Sequence, residues 1–222
     1  PENLVNKYMA SSSLRRTKIT GNGNRFQQLS ERSMGGFSLT SIRQNVASAL
    51  CEEYPYDGQS LYSGTIRYRE EAEIGGGREI ELQFEFRDKS NLFILESDVD
   101  IPSIESVIDR LNSITPNEFM IYRSLTVHRE QLWTFLQEAN QLIEATLITK
   151  HGDRVDFDGL DFESPEDIQH HPIESATAVF EYDSEKIVTR YTDGTLSIRS
   201  ENPQAREFII QLFERDVLAG GA

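Results

Sequence analysis

Cysteine occurs once in this chain of 222 residues, which excludes an internal disulfide. Cys51 follows Val46, Ala49 and Leu50, a setting that favours burial over reactivity. No uninterrupted apolar run approaches the roughly 20 residues that a bilayer-crossing helix requires. The first residues show no secretory hydrophobic stretch, although the chain begins at Pro1. No membrane contact and a cytoplasmic location are therefore the expectations. Lysine is scarce, at five of the 22 cationic residues, while the formal net charge is −15. An acidic, lysine-poor surface is compatible with a high-salt interior, and arginine preference also follows from nucleotide composition.

The familiar catalytic signatures are equally thin. Gly75-Gly76-Gly77 lacks the Lys-Ser or Lys-Thr ending of a P-loop and the placement of a dinucleotide fingerprint, so it reads as a flexible hairpin connection. No serine or cysteine nucleophile with an ordered base and acid is identifiable. No catalytic residue and no cofactor are assigned from the sequence.

Charge is present but unevenly placed. Residues 1 to 45 hold seven cations against Glu2 and Glu31, and the remainder is strongly acidic. Residues 1–37, rich in Ser, Gly and Asn, read as a basic arm or irregular segment. Within it Arg15, Arg16, Lys18, Arg25 and Phe26 form the candidate partner-binding set: the cations can neutralise phosphate or pair with carboxylates, and Phe26 can stack on a base. An acidic protein surface or an oligomeric partner is the favoured target, with nucleic acid as an alternative and docking on the chain's own carboxylates as the blander account.

The body changes period along its length. Thr40, Ile42, Val46, Ala49 and Leu50 predict a helix that reaches about Glu53, before Pro55. Tyr62, Gly64, Ile66 and Tyr68 then alternate as one face of a strand. Ile80, Leu82, Phe84 and Phe86 do so against Glu79, Glu81, Glu85 and Arg87, whose face is expected to be wet. A shorter apolar strand at 91–96 precedes an apolar helical stripe from Ile101 to Ile114.

Thr126 to Ile143 carries Leu132, Trp133, Leu136, Ala139, Leu142 and Ile143 at spacings of three and four, the pattern of a helix covering a sheet. Strands follow near 146–150, 154–157, 176–182, 186–191 and 196–199. A last helix starts with Asn202 as N-cap and Pro203 at N1.

Strands ending in an amphipathic helix thus occur twice. The fold class is α+β, with two antiparallel-sheet-plus-helix units, 38–125 and 126–222, a possible pseudo-duplication or one continuous domain. The exposed edges of strands near 62–69 and 187–199 offer main-chain pairing. The function that follows is a noncatalytic protein-interaction or assembly component. The enzymatic alternative is a divalent-metal-dependent hydrolase using the acidic segment 153–163. There Asp153, Asp156, Asp158 and Asp161 supply carboxylates, with His151, His170 and His171 as possible nitrogen ligands.

Overall fold

The computed structural model describes residues 11–19, 33–34, 36–70, 77–97, 103–114, 119–125, 127–156, 171–192 and 194–219. In chain order its strands are β1 (Ser11–Ile19), β2 (Ser33–Met34), β3 (Phe37–Val46), β4 (Ser60–Glu70), β5 (Arg78–Arg87), β6 (Leu92–Ser97), β7 (Phe119–Ile121), β8 (Gln141–Ile148), β9 (Arg154–Asp156), β10 (Ile173–Tyr182), β11 (Glu185–Thr192) and β12 (Thr195–Arg199). The helices are α1 (Ile104–Ile114), α2 (Arg129–Gln137) and α3 (Pro203–Phe213), the last continued by a π-helical stretch, Glu214–Ala219.

The strict alternation on β5 builds the longest unbroken pairing among the described strands. Its residues face β4 from Leu61 opposite Arg87 to Glu70 opposite Arg78, placing Phe84 against Gly64 and Phe86 against Tyr62. Gly64 is required there, because a Cβ would stand 2.9 Å from the Phe84 ring and 3.0 Å from the Thr40 carbonyl oxygen. The β10–β11 hairpin turns at Asp183 and Ser184, whose φ angles of 51° and 67° are those of a tight turn following the strand twist.

These strands belong to one antiparallel sheet, ordered β2-β3-β4-β5-β6-β1-β12-β11-β10-β8-β9, with β7 paired to the end of β1. The fold is α+β, but the two expected sheet-helix units are not separate. β1 hydrogen-bonds to both halves, with Leu14 opposite Ile94 of β6 on one side and Leu196 of β12 on the other. The expectation of an arm fails at the same place: Ser11–Ile19 is a central strand. Its polar residues conceal it, because hydroxyls and an arginine stem fill positions usually held by aliphatics in an inner strand.

Two helix layers sit on opposite faces. Val107, Ile108, Leu111 and Ile114 of α1 pack with Leu39, Ile66, Leu82, Phe84, Phe93 and Leu95 over the β3–β6 half. On the other face, α2 and α3 close a core of Leu14, Ile94, Leu147, Ala178, Phe180, Ile187, Leu196 and Ile198, with Phe135 wedged between Phe180 and Phe213. Each such aliphatic or aromatic side chain contributes about 1.5–3 kcal/mol on burial. Asn202 caps α3 as expected, accepting from the backbone N–H of Gln204 and Ala205.

Three element readings are corrected. Residues 37–46 are strand, not helix; the alternation that buries Phe37 and Leu39 breaks at Ser41, whose φ of 58° makes a bulge and turns Ile42 and Val46 into a false helical spacing. The helix over Leu132 and Trp133 ends at Gln137, and Leu142 and Ile143 lie on β8, so their spacing continues the stripe by coincidence. The strands at 62–69 and 187–199 are interior to the sheet, which places its edges at β2–β3 and β8–β9.

Candidate functional site

Two polar assemblies stand out, one sealed and one open. The sealed one surrounds Arg87, whose side chain is fully buried. α3 crosses the last residues of β5, so the expected wet face closes here. Arg87 pairs with Glu85 at 2.8 Å, with Glu214 at 2.9 Å and with Glu207. Glu214, itself fully buried, also accepts from Tyr54 Oη at 2.5 Å, Gln59 Nε2 at 2.9 Å and Ser90 Oγ at 2.5 Å. Burial alone would depress the guanidinium's pKa, and the three carboxylates overcome it and drive it well above the ordinary value. Burial first, and then the charge of Glu214 and the hydrogen bond to it, push the Tyr54 phenol up. Burial also raises the Glu85 carboxyl despite Arg87 beside it. With neither Arg87 nor Glu214 open to solvent, this network clamps α3 to β5 and offers no room for a substrate.

The open assembly lies on the sheet face opposite α2 and α3, across β1, β12, β11, β10 and β8. No described element covers it. Alternation along each strand brings polar side chains to that face: Ser11 with the buried Ser13 and Arg15 on β1, Thr195, Ser197 and Arg199 on β12, Arg190 and Thr192 on β11. They line a groove of about 570 Å³, bounded on one side by Ile104 and Glu105 of α1 and on the other by Thr177 and Glu144. Thr177 donates to Glu144 at 2.8 Å.

Arg15 is only 2% exposed. Its Nη1 donates to Ser13 Oγ at 2.8 Å and to the Leu14 carbonyl at 3.1 Å, and its Nη2 stands 3.8 Å from Glu105. Its Nε has no hydrogen-bond partner among the described residues. Burial lowers its pKa, and Glu105 offsets that only in part.

No protein-family model matches the chain, nor does any curated protein sequence. The functional reading therefore rests on the residues themselves.

The structure separates the candidate set that shared a short stretch of sequence. Arg15 faces the groove, whereas Arg16 and Lys18 alternate to the other side of β1, where Arg16 Nη1 reaches the Ser90 carbonyl at 3.4 Å and Lys18 is exposed. Arg25 and Phe26 lie outside the described residues. Of the acidic candidates, Asp153 precedes β9 and Asp156 accepts from Thr146 Oγ1 at 3.2 Å, while Asp158 and Asp161 lie outside the described residues. No group of three or more metal-ligating side chains occurs among the described residues. His171 approaches the Ile148 carbonyl through Nδ1 at 3.4 Å; His170 is not described. No helix among the described residues is long and apolar enough to cross a membrane.

Arg190, Arg199 and the hydroxyls beside them were missed by the sequence reading. The signal was available in the polar half of the 195–199 alternation, where Thr195, Ser197 and Arg199 oppose Leu196 and Ile198. Only the strand order shows that these residues adjoin Arg15.

Proposed function

We propose that this protein is a noncatalytic interaction or assembly component that takes an acidic partner protein on the exposed polar face of β12-β11-β10-β8, opposite α2 and α3. The observation that carries this reading is a half-sheet with no described helix over it and with Arg190 and Arg199 exposed on it, in a chain whose formal net charge is −15. A cationic patch on an acidic molecule steers an acidic partner to one place, because like-charged approach elsewhere is unfavourable. Val188, 38% exposed in the midst of these polar groups, supplies apolar contact for a docked surface.

The sheet edges are the second element of this reading. β9 pairs only with Thr146–Ile148, so Gln141–Ala145 of β8 has no described strand on its outer side, and Ile143 there is 51% exposed. A partner lying over Glu144 reaches that edge as well.

The test is site-specific photo-crosslinking in extract of the source cells, with the photoreactive residue at position 188 and, as control, at Thr134 on the outer side of α2. A discrete adduct at 188 that is absent at 134, identified and rebuilt from the purified partner, is expected to be weakened by Arg190→Glu with Arg199→Glu. Identical adducts from both positions, indifferent to those charge reversals, would refute the reading.

A further inference from the structure

We propose that the partner seated on this face is a second copy of the chain, the two packing sheet to sheet about a twofold axis that runs along the strands between β10 and β11. This rests on the face being the binding surface, and it names what binds there.

The register lays the face out as a grid. Across the β10–β11 boundary Val179 stands beside Val188, Glu181 beside Lys186 and Thr177 beside Arg190. Beyond β11, Arg199 of β12 adjoins Val188; beyond β10, Gln141 and Glu144 of β8 adjoin Val179 and Thr177. Asp156 of β9 lies farther out, opposite Thr146. The exposed cations Lys186, Arg190 and Arg199 thus all stand on the β11 side of the boundary, and the exposed carboxylates Glu181, Glu144 and Asp156 all on the β10 side.

A twofold axis lying in the interface along the strands reverses the order of the strands and keeps the position along them, so each β11 covers the β10 of the other copy. Lys186 then meets Glu181 of the second copy and Val188 meets its Val179. Arg190 meets its Thr177 and Glu144, which are already joined by a 2.8 Å hydrogen bond. Strands of two sheets packed in alignment stay within about 30° of each other, which keeps these few rows in step. An axis across the strands would lay β11 on β11 and cation on cation, so the charge pattern selects the first arrangement.

The charges also balance. Three exposed cations oppose three exposed carboxylates, and at the α1 border the buried Arg15 has Glu105 at 3.8 Å. On a chain of net charge −15, a face that sums to zero is where two copies approach without local repulsion. At about 0.15 M salt the Debye length is about 8 Å, which confines the repulsion between the remaining surfaces. The shape fits the same partner. Sheets packed face to face lie about 10 Å apart, and α1, a helix about 10 Å across, borders the face at Ile104 and Glu105. Each α1 then flanks the β8–β9 edge of the other copy.

The experiment is sedimentation velocity on the full chain across the micromolar range, with two variants. Lys186→Glu with Arg190→Glu turns the face acidic, and Glu144→Lys with Glu181→Lys turns it basic. All four side chains are exposed, so both variants are expected to keep the circular dichroism of the parent. The parent is expected to dimerise. Each variant alone should lose at least about tenfold in affinity, because the twofold applies every reversal twice, and an equimolar mixture should recover a dimer with one of each. Purified chain with the photoreactive residue at position 188 should give an adduct of twice the chain mass, attached on β10 or β11.

Three results overturn the proposal: a parent that stays monomeric throughout, a dimer that both variants leave intact, or variants whose mixture stays monomeric. A monomeric parent that still gives an adduct with another protein from position 188 in extract keeps the face as the binding surface and removes only the second copy. Self-association that crosslinks from Thr134 and never from 188 removes the face itself.

Discussion

Replacing Arg87 by Met tests whether the clamp between α3 and the sheet is as closed as it looks. Methionine retains most of the stem's apolar contact, so the change isolates the guanidinium. It leaves Glu85, Glu207 and Glu214 close together without their shared cation, Glu214 with no solvent exposure. Removing one partner of a buried ion pair costs about 3–5 kcal/mol. Surface ion pairs such as Arg67–Glu81, where both side chains are about half exposed, contribute at most about 1 kcal/mol.

With a urea m-value of about 2–3 kcal/mol per M, the unfolding midpoint of Arg87→Met should fall by about 1–2.5 M. Trp133, the sole tryptophan and 6% exposed, reports that transition by its fluorescence. Adding Glu214→Gln removes one of the stranded charges, so the double variant should be less damaged than the sum of the two single changes. A loss below about 1 kcal/mol at unchanged m would refute the reasoning, since it would mean that Arg87 behaves as an exposed cation.

Three further outcomes follow from the same contacts. Asn202→Ala should cost about 1 kcal/mol in chemical denaturation by releasing the N–H groups of Gln204 and Ala205, while Asn202→Ser should recover most of it. Glu85→Gln should flatten the pH dependence of stability: burial raises the folded pKa above the unfolded value of about 4.3, so the parent's contribution from this group is present below that value and is lost as pH rises through the folded one. Unfolding followed through Trp133 and through far-ultraviolet circular dichroism should coincide, because β1 ties both cores into one sheet, and two resolved transitions would contradict that coupling.

Much of the scaffold was legible where one rule sufficed. The alternation on β5 depends only on a period of two, and the Asn202-Pro203 start of α3 only on the unsatisfied first N–H groups of a helix. Ser41 hid β3, because a residue at positive φ shifts the period and the remainder then mimics a helix. SSSLRRTKI hid β1 because its inner position in the sheet is a property of β6 and β12, distant in sequence. Arg87 looked wet for the same reason: α3, which buries it, lies at the far end of the chain. The groove escaped because no strand contains it. Its residues come from β1, β8, β10, β11 and β12 with the start of α1 at one side, and only the order of the strands in the sheet gives them a common surface.

The position of β1 has a cost during synthesis. This strand leaves the ribosome before β6 and well before β12, yet it needs both as neighbours, so the nascent polypeptide carries a segment whose hydrogen-bonding edges must wait. Pairings this far apart along a chain form slowly, and the interval exposes a β-prone edge to mispairing with other chains. A permuted gene that places the β1 codons between those for β6 and β12 would shorten the wait, provided the new junctions can be bridged.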